Sequence, residues 1–326
     1  MTTKCFYSDV FHLMCSFGVT LLLYQNPSSA TTIMISAKQM LTTGMPYLFY
    51  GTAWKKDDTA SLVAKALRSG FRFIDTACQP KHYNEAGVGE GWTTAAAELG
   101  LDRSDIFLQT KFTSVRGQDP DNIPYDKEAP LEEQVKQSFQ KSLENLRTDY
   151  IDSLVLHSPM ETMEDTLRAW KVLESFVDEK KVGQIGISNC YNFRDLRTLH
   201  QKATIKPAVV QNRFHDQTKY DVQIREICNM YGIKYQSFWT LTAPSNRKAM
   251  ESSKWKTMAK DKGLTPQTLM YGYMMSLGHT PLDGSKNSIH MKEDIELMMR
   301  FQNGEEVLDE SEVKTLSLIL GIEVEN

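Results

Sequence analysis

From about Pro46 onward, short apolar runs rich in β-branched and aromatic residues alternate with longer stretches whose apolar positions recur every three or four residues. The short runs predict strands at Tyr47–Trp54, Phe71–Thr76, Ile106–Phe112, Ile151–His157, Gly183–Ser188, Ala208–Gln211, Ile233–Phe238 and Thr280–Asp283. The longer stretches predict helices at Thr59–Ser69, Glu85–Leu99, Leu131–Leu146, Thr162–Glu179, Phe193–His200 and Asp221–Met230. In the helix from Leu131, the residues Val135, Phe139, Leu143 and Leu146 fall on one side and give it a stripe to bury. Eight alternating units without a Pro- or Ser-rich linker favour a closed α/β architecture, the (β/α)8 TIM barrel, over an open doubly wound sheet. No GxGxxG follows the first strand. Two stretches break the alternation. Ser114–Pro130 holds three prolines among Asp and Asn and predicts a non-helical excursion that walls or covers a pocket. Thr240–Lys248 reads as a second polar loop on the same face, placed to clasp a ligand.

Residues 1–43 stand apart from this pattern as an N-terminal extension to a barrel of residues 44–326. Val10–Tyr24 is an apolar-leaning run after Lys4, followed by Pro27-Ser28-Ser29-Ala30, and resembles a signal peptide with a small-residue cleavage site. Against that, it contains His12, follows Asp9 and falls short of the roughly 20 residues a spanning helix needs. The other reading is a tail outside the folded unit, with Met34 or Met40 as its start. A cytoplasmic chain is the expectation, with secretion or anchoring through residues 10–24 as the alternative.

Composition narrows the class. Of 326 residues, 41% are hydrophobic and 24% charged, which excludes collagen-like, disordered and multi-span membrane chains. Lys plus Arg number 37 against 41 Asp plus Glu, and the net charge of −4 offers no basic field for nucleic acid or anionic lipid. Cys5, Cys15, Cys78, Cys190 and Cys228 are odd in number and lack a CxxC pair, so no metal site or disulfide framework is expected.

Barrel enzymes gather their chemistry at the C-terminal ends of the strands. Here those ends carry Asp75, Lys111, His157, Ser188-Asn189 and Gln211. Singly, each has an ordinary explanation: a turn cap, a solvated lysine, a packed histidine, a satisfied backbone group. Together they set unlike polar groups around one mouth.

The runs Gly51-Thr52-Ala53-Trp54, Phe73-Ile74-Asp75-Thr76-Ala77, Tyr83-Asn84-Glu85, Leu108-Gln109-Thr110-Lys111, Leu156-His157-Ser158-Pro159, Gly186-Ile187-Ser188-Asn189 and Val210-Gln211-Asn212 resemble the aldo-keto reductases, from about Met45 to Leu320. The insert Cys78–His82 is similar to that of a fungal subgroup whose tyrosine comes late. Pro80 stands where the common pattern has its tyrosine, so the role falls to Tyr83, with His82 as its rival. The resemblance implies NADPH-dependent reduction of an aldehyde or ketone by a monomer, in a pocket left open by a short C-terminal segment after Gly321, and an association with fungal secondary metabolism. It implies that Tyr83 polarises and protonates the carbonyl oxygen, that Lys111 pulls the phenol toward its charged form, that Asp75 holds Lys111, and that His157 positions the oxygen. It further implies a cofactor held by Gly51 and Thr52, by Ser188, Asn189 and Gln211 at the carboxamide, by Phe238 against the nicotinamide ring, by Ser285, Lys286 and His290 at the 2′-phosphate, and by Glu293 and Asp294 near adenine. His290 replaces the arginine common there. Two rivals remain: a non-catalytic NADPH-binding regulatory relative, and a lyase forming a Schiff base on Lys111.

Overall fold

The computed structural model describes residues 36–44 and 47–323; the signal-like run Val10–Tyr24 and the start at Met34 lie outside the described residues. Eight parallel strands close in sequential order: β1 Phe49–Gly51, β2 Phe73–Asp75, β3 Phe107–Phe112, β4 Ile151–Leu156, β5 Val182–Ser188, β6 Val209–Arg213, β7 Lys234–Phe238 and β8 Thr280–Asp283. β1 pairs with both β2 and β8, which makes the sheet a (β/α)8 barrel with no free edge. Around it run α2 Thr59–Ser69, α3 Glu85–Leu99, α4 Leu131–Leu146, α5 Met163–Asp178, α6 Phe193–Lys202, α7 Val222–Tyr231, α10 Pro266–Ser276 and α11 Ser288–Gln302. The helices α1 Ala37–Thr43, α8 Pro244–Glu251, α9 Ser253–Asp261 and α12 Glu310–Leu320 are additions to the eight-unit plan. Among the described residues no helix is long and apolar enough to cross a membrane.

The register fixes the site. Gly51 lies beside Asp75, Asp75 beside Gln109, and Ser188 beside Gln211, so the polar strand ends sit at one level of the mouth. α3 holds the next part in place. Its N-cap Asn84 accepts from the Gly87 amide, and its buried Glu85 accepts from the Thr110 hydroxyl of β3 and the Asn145 amide of α4. α3 packs tightly because it carries glycine where its neighbours come closest. A Cβ at Gly89 would lie 2.0 Å from the Asn145 carbonyl oxygen and one at Gly91 2.4 Å from that of Ala60. The stripe on α4 is buried as its spacing predicts: Val135, Phe139 and Leu146 are in the core and Leu143 packs against it. Each such side chain contributes about 1.5–3 kcal/mol.

Four expectations change. β1 is three residues long because the chain leaves the sheet at Thr52, whose amide and hydroxyl both donate to the Asp75 carbonyl oxygen. Thr240–Lys248 is not all loop: α8 starts at Pro244, and Asn246 is buried there, donating to the Phe214 and Thr240 carbonyl oxygens. Ser114–Pro130 is irregular apart from a short 3-10 turn at Val115–Gly117, but it contributes none of the cavity lining. It folds back instead, with the Tyr125 hydroxyl and Gln118 amide both bonded to the Thr113 carbonyl oxygen. Finally, α1 lies within the stretch read as an extension, yet Ala37 and Met40 are buried in the core.

Candidate active site

A cavity of about 600 Å³ opens at the C-terminal mouth of the barrel. At its base is an ion pair. Lys111 Nζ sits 2.7 Å from both carboxylate oxygens of Asp75 and donates to the Thr76 carbonyl oxygen at 2.7 Å. Both partners are buried, and a buried pair is tolerated only when its hydrogen-bonding groups are satisfied in this way. Asp75 Oδ1 also accepts from Gln109 Nε2 at 2.8 Å and Gln211 Nε2 at 2.9 Å, and those two amides share Gln236 Oε1. Ser153 donates to Gln109 Oε1 at 2.9 Å. Thus β3, β4, β6 and β7 supply a polar layer inside the barrel that fixes the carboxylate. Burial lowers the Lys111 ammonium below its usual range, and Asp75 works against that.

Tyr83, in the turn before α3, lines the cavity, and its hydroxyl makes no hydrogen bond to the described residues. Lys111 Nζ lies 5.3 Å from the centre of its ring, and the His157 ring stands edge-on at 6.0 Å. Burial, followed by the nearby charge of Asp75, holds the phenol well above its ordinary value. That direction is opposite to the pull expected of Lys111. The ammonium is bonded to both oxygens of the Asp75 carboxylate, which offsets part of its charge at the phenol.

His157 is kept neutral by burial, with Lys111 and His82 adding to the effect, and is pushed down to about 3. Its Nδ1 is 2.6 Å from Thr113 Oγ1. A hydroxyl can give or take the proton of that bond, and donation from Thr113 is the arrangement that puts the ring proton on Nε2. The rival His82 is already engaged, with Nδ1 2.9 Å from Gln79 Oε1 and its ring 4.1 Å from that of Trp54.

Of the residues expected from sequence, Asp75, Tyr83, His157, Gly51, Ser188, Asn189, Gln211, Phe238, Ser285, His290, Glu293 and Asp294 line this one cavity. Lys111 lies beneath it, Thr52 is turned into the barrel wall, and Lys286 is on the surface with Asp58 at 3.4 Å. Asn189 donates to the His157 carbonyl oxygen and Ser188 to that of Gln211, which ties β4, β5 and β6 together at the rim. Gln211 spends its amide on Asp75 and Gln236, and its Oε1 stays open as an acceptor. An open amide acceptor beside a flat aromatic face, Phe238, suits a nicotinamide carboxamide and ring.

Sequence reasoning missed Lys55, Thr113, Gln109 and Gln236, and read Asp283 only as the end of a strand. Lys55 is buried at the cavity wall with its ammonium on the Gly284 carbonyl oxygen, and burial lowers it to about 8 against the pull of Asp283. A second lysine directly after Trp54 is the one signal the sequence offered for it.

The sequence matches the Aldo/keto reductase family over residues 41–316. It is 28% identical over 291 residues to a D-galacturonate reductase of Hypocrea jecorina, covering 81% of this chain and 87% of that one. With an NAD(P)H-dependent D-xylose reductase of Pachysolen tannophilus it shares 26% identity over 260 residues, covering 69% and 76%. The fold superposes on an aldo-keto reductase from a Medee basin deep-sea metagenome library with a TM-score of 0.70, at 23% identity and covering 86% and 94%. Barrel, strand-end chemistry and sequence match agree, and the chain belongs to the aldo/keto reductase family of oxidoreductases.

Proposed function

We propose that this protein reduces the carbonyl of a small aldehyde or ketone to an alcohol, with Tyr83 as proton donor. A nicotinamide dinucleotide, NADPH in the expectation from sequence, supplies the hydride when bound. The observation that carries the reading is the Tyr83 hydroxyl, free in the cavity beside a neutral His157 and above the Lys111–Asp75 pair. His157 Nε2–H donates to the carbonyl oxygen and fixes it. As negative charge builds on that oxygen, the Tyr83 O–H bond breaks and an alcohol O–H forms. The phenolate left behind faces Lys111, whose nearby ammonium stabilises it until solvent returns a proton. Asp75 keeps that lysine charged and in place. Ser188, Asn189, Gln211 and Phe238 orient the nicotinamide end.

A Schiff base on Lys111 is disfavoured because its ammonium is fully buried, bonded to Asp75 and Thr76, and does not reach the cavity. A purely regulatory role leaves the complete acid, ion pair and histidine without a task. The test is consumption of reduced dinucleotide with glyoxal, D-xylose and D-galacturonate, substrates suggested by the names of relatives. Turnover by the parent and loss in Tyr83→Phe support the reading; no turnover across a broad aldehyde and ketone panel refutes it.

A further inference from the structure

The insert Cys78–His82 brings a further polar group to the cavity beside Tyr83. It is oriented by the long loop after β3. The buried Gln79 side chain donates through Nε2 to the Gly117 carbonyl oxygen at 2.6 Å, in the 3-10 turn Val115–Gly117. A carbonyl oxygen only accepts, so the NH2 end of Gln79 is spent there and Oε1 is the end turned to His82. That oxygen lies 2.9 Å from His82 Nδ1. An amide oxygen also only accepts, so Nδ1 carries the proton of this bond. Burial, followed by the charge of Lys81, holds the imidazole below its ordinary 6.5. A neutral ring protonated on Nδ1 has a bare lone pair on Nε2.

His82 Nε2 has no partner among the described residues and remains accessible. The residue lines the cavity as the chain neighbour of Tyr83, and it lies close enough to influence the His157 imidazole. Its position is fixed from two further directions. The Trp54 ring packs on it with centres 4.1 Å apart, and the Trp54 amide donates to the His82 carbonyl oxygen at 2.7 Å. Trp54 is itself exposed and lines the same cavity. The wall next to the acid therefore holds a hydrogen-bond acceptor rigidly against a flat apolar face. Tyr83 and His157 serve the carbonyl oxygen as donors, so an acceptor has no work to do on that oxygen. Its match is a donor elsewhere on the same substrate.

We infer that His82 Nε2 accepts a hydrogen bond from a substrate hydroxyl, so the protein selects hydroxylated aldehydes or ketones whose carbon chain lies on Trp54. The inference rests on the carbonyl-reduction reading above. His82 binds and transfers no proton. The loop Ser114–Pro130 stays out of the cavity lining and acts on it through Gly117 and Gln79.

The test compares propanal, 2-hydroxypropanal and 2,3-dihydroxypropanal as substrates of the parent, His82→Phe and His82→Gln. His82→Phe keeps a ring against Trp54 and removes the acceptor, whereas His82→Gln offers an amide oxygen in its place. A hydroxyl also changes the reactivity of the carbonyl, so the deciding quantity is the ratio of kcat/KM for each hydroxylated aldehyde to that for propanal. In His82→Phe this ratio should fall about tenfold, the worth of one hydrogen bond, chiefly through KM, and His82→Gln should restore part of it. An equal ratio in the parent and in folded His82→Phe overturns the proposal and leaves the reduction reading standing. No turnover of any carbonyl by the parent overturns both. Nitrogen NMR of the parent decides the premise even if both variants fail to fold. The Nδ1–H tautomer of His82 is expected, and the Nε2–H tautomer overturns the proposal.

Discussion

Lys111 Nζ lies 5.3 Å from the centre of the Tyr83 ring, while its bonds go to the two oxygens of Asp75 and the Thr76 carbonyl oxygen, all at 2.7 Å. In the proposed mechanism the lysine is held by Asp75 in the resting protein. It stands ready for the charge that appears when the proton has left.

Tyr83→Phe should then lower kcat by roughly 10²–10⁴ while leaving dinucleotide affinity unchanged, because the ring stays and only the donor goes. His82→Ala should be much milder. The raised phenol adds a pH signature: its ionisation should cause no loss of reduction below its ordinary value of 10.0. A rate profile falling with an apparent pKa near 7, absent in Tyr83→Phe, would show that the phenol is poised lower.

Thr113 Oγ1 and His157 Nδ1 are 2.6 Å apart, and a bond given by the hydroxyl would put the imidazole proton on the nitrogen free to meet substrate. Thr113→Val keeps the shape and removes the bond, so both nitrogens compete for one proton. The expected result is about a tenfold loss in kcat with KM nearly unchanged and activity kept in Thr113→Ser. Nitrogen NMR of His157 should show the Nε2–H tautomer in the parent and a mixture in Thr113→Val. Identical spectra and rates would remove Thr113 as a positioning residue.

The parts that were legible in the sequence share a cause. Asp75, Lys111 and His157 end regular apolar strands, and α2, α3 and α4 have the spacing and N-terminal residues that mark their limits. What escaped are polar groups whose partners come from distant strands. Gln109 in β3 and Gln236 in β7 meet inside the barrel 127 residues apart, and nothing local to either signals the pairing. Asn246 made α8 look like loop because polarity was taken as exposure, whereas its amide serves two buried carbonyl oxygens. Lys55 and Asp283 were hidden the same way, as charges that fold into a wall.

Met40 on α1 is 3% exposed and sits with Ala37 in the core, so the short helix is part of the folded barrel unit. Met40→Ala should cost about 2–5 kcal/mol, visible as a lower denaturant midpoint at an unchanged m-value. A loss under about 0.5 kcal/mol would mean that α1 is only lightly docked.

Two buried histidines make acid stability a test of the core. His157 and His279 are both pushed down to about 3, chiefly by burial, from the ordinary 6.5. For His279 the Arg225 guanidinium, with Nη1 3.3 Å from Nε2, adds to the effect. Above pH 6.5 both are neutral in the folded and unfolded chains, and their environment contributes its full stability. As pH falls from 6.5 toward 3, the unfolded chain takes up protons that the folded one refuses. Each histidine then removes about 1.4 kcal/mol per pH unit. Buried Glu85 and Asp294 are shifted the other way and bend the curve oppositely, so the decisive measurement is the difference between parent and variant. His279→Gln should flatten the fall in unfolding free energy between pH 6 and 4 by about 1.4 kcal/mol per unit. Parallel curves for the two proteins would mean that His279 gains its proton without leaving the fold.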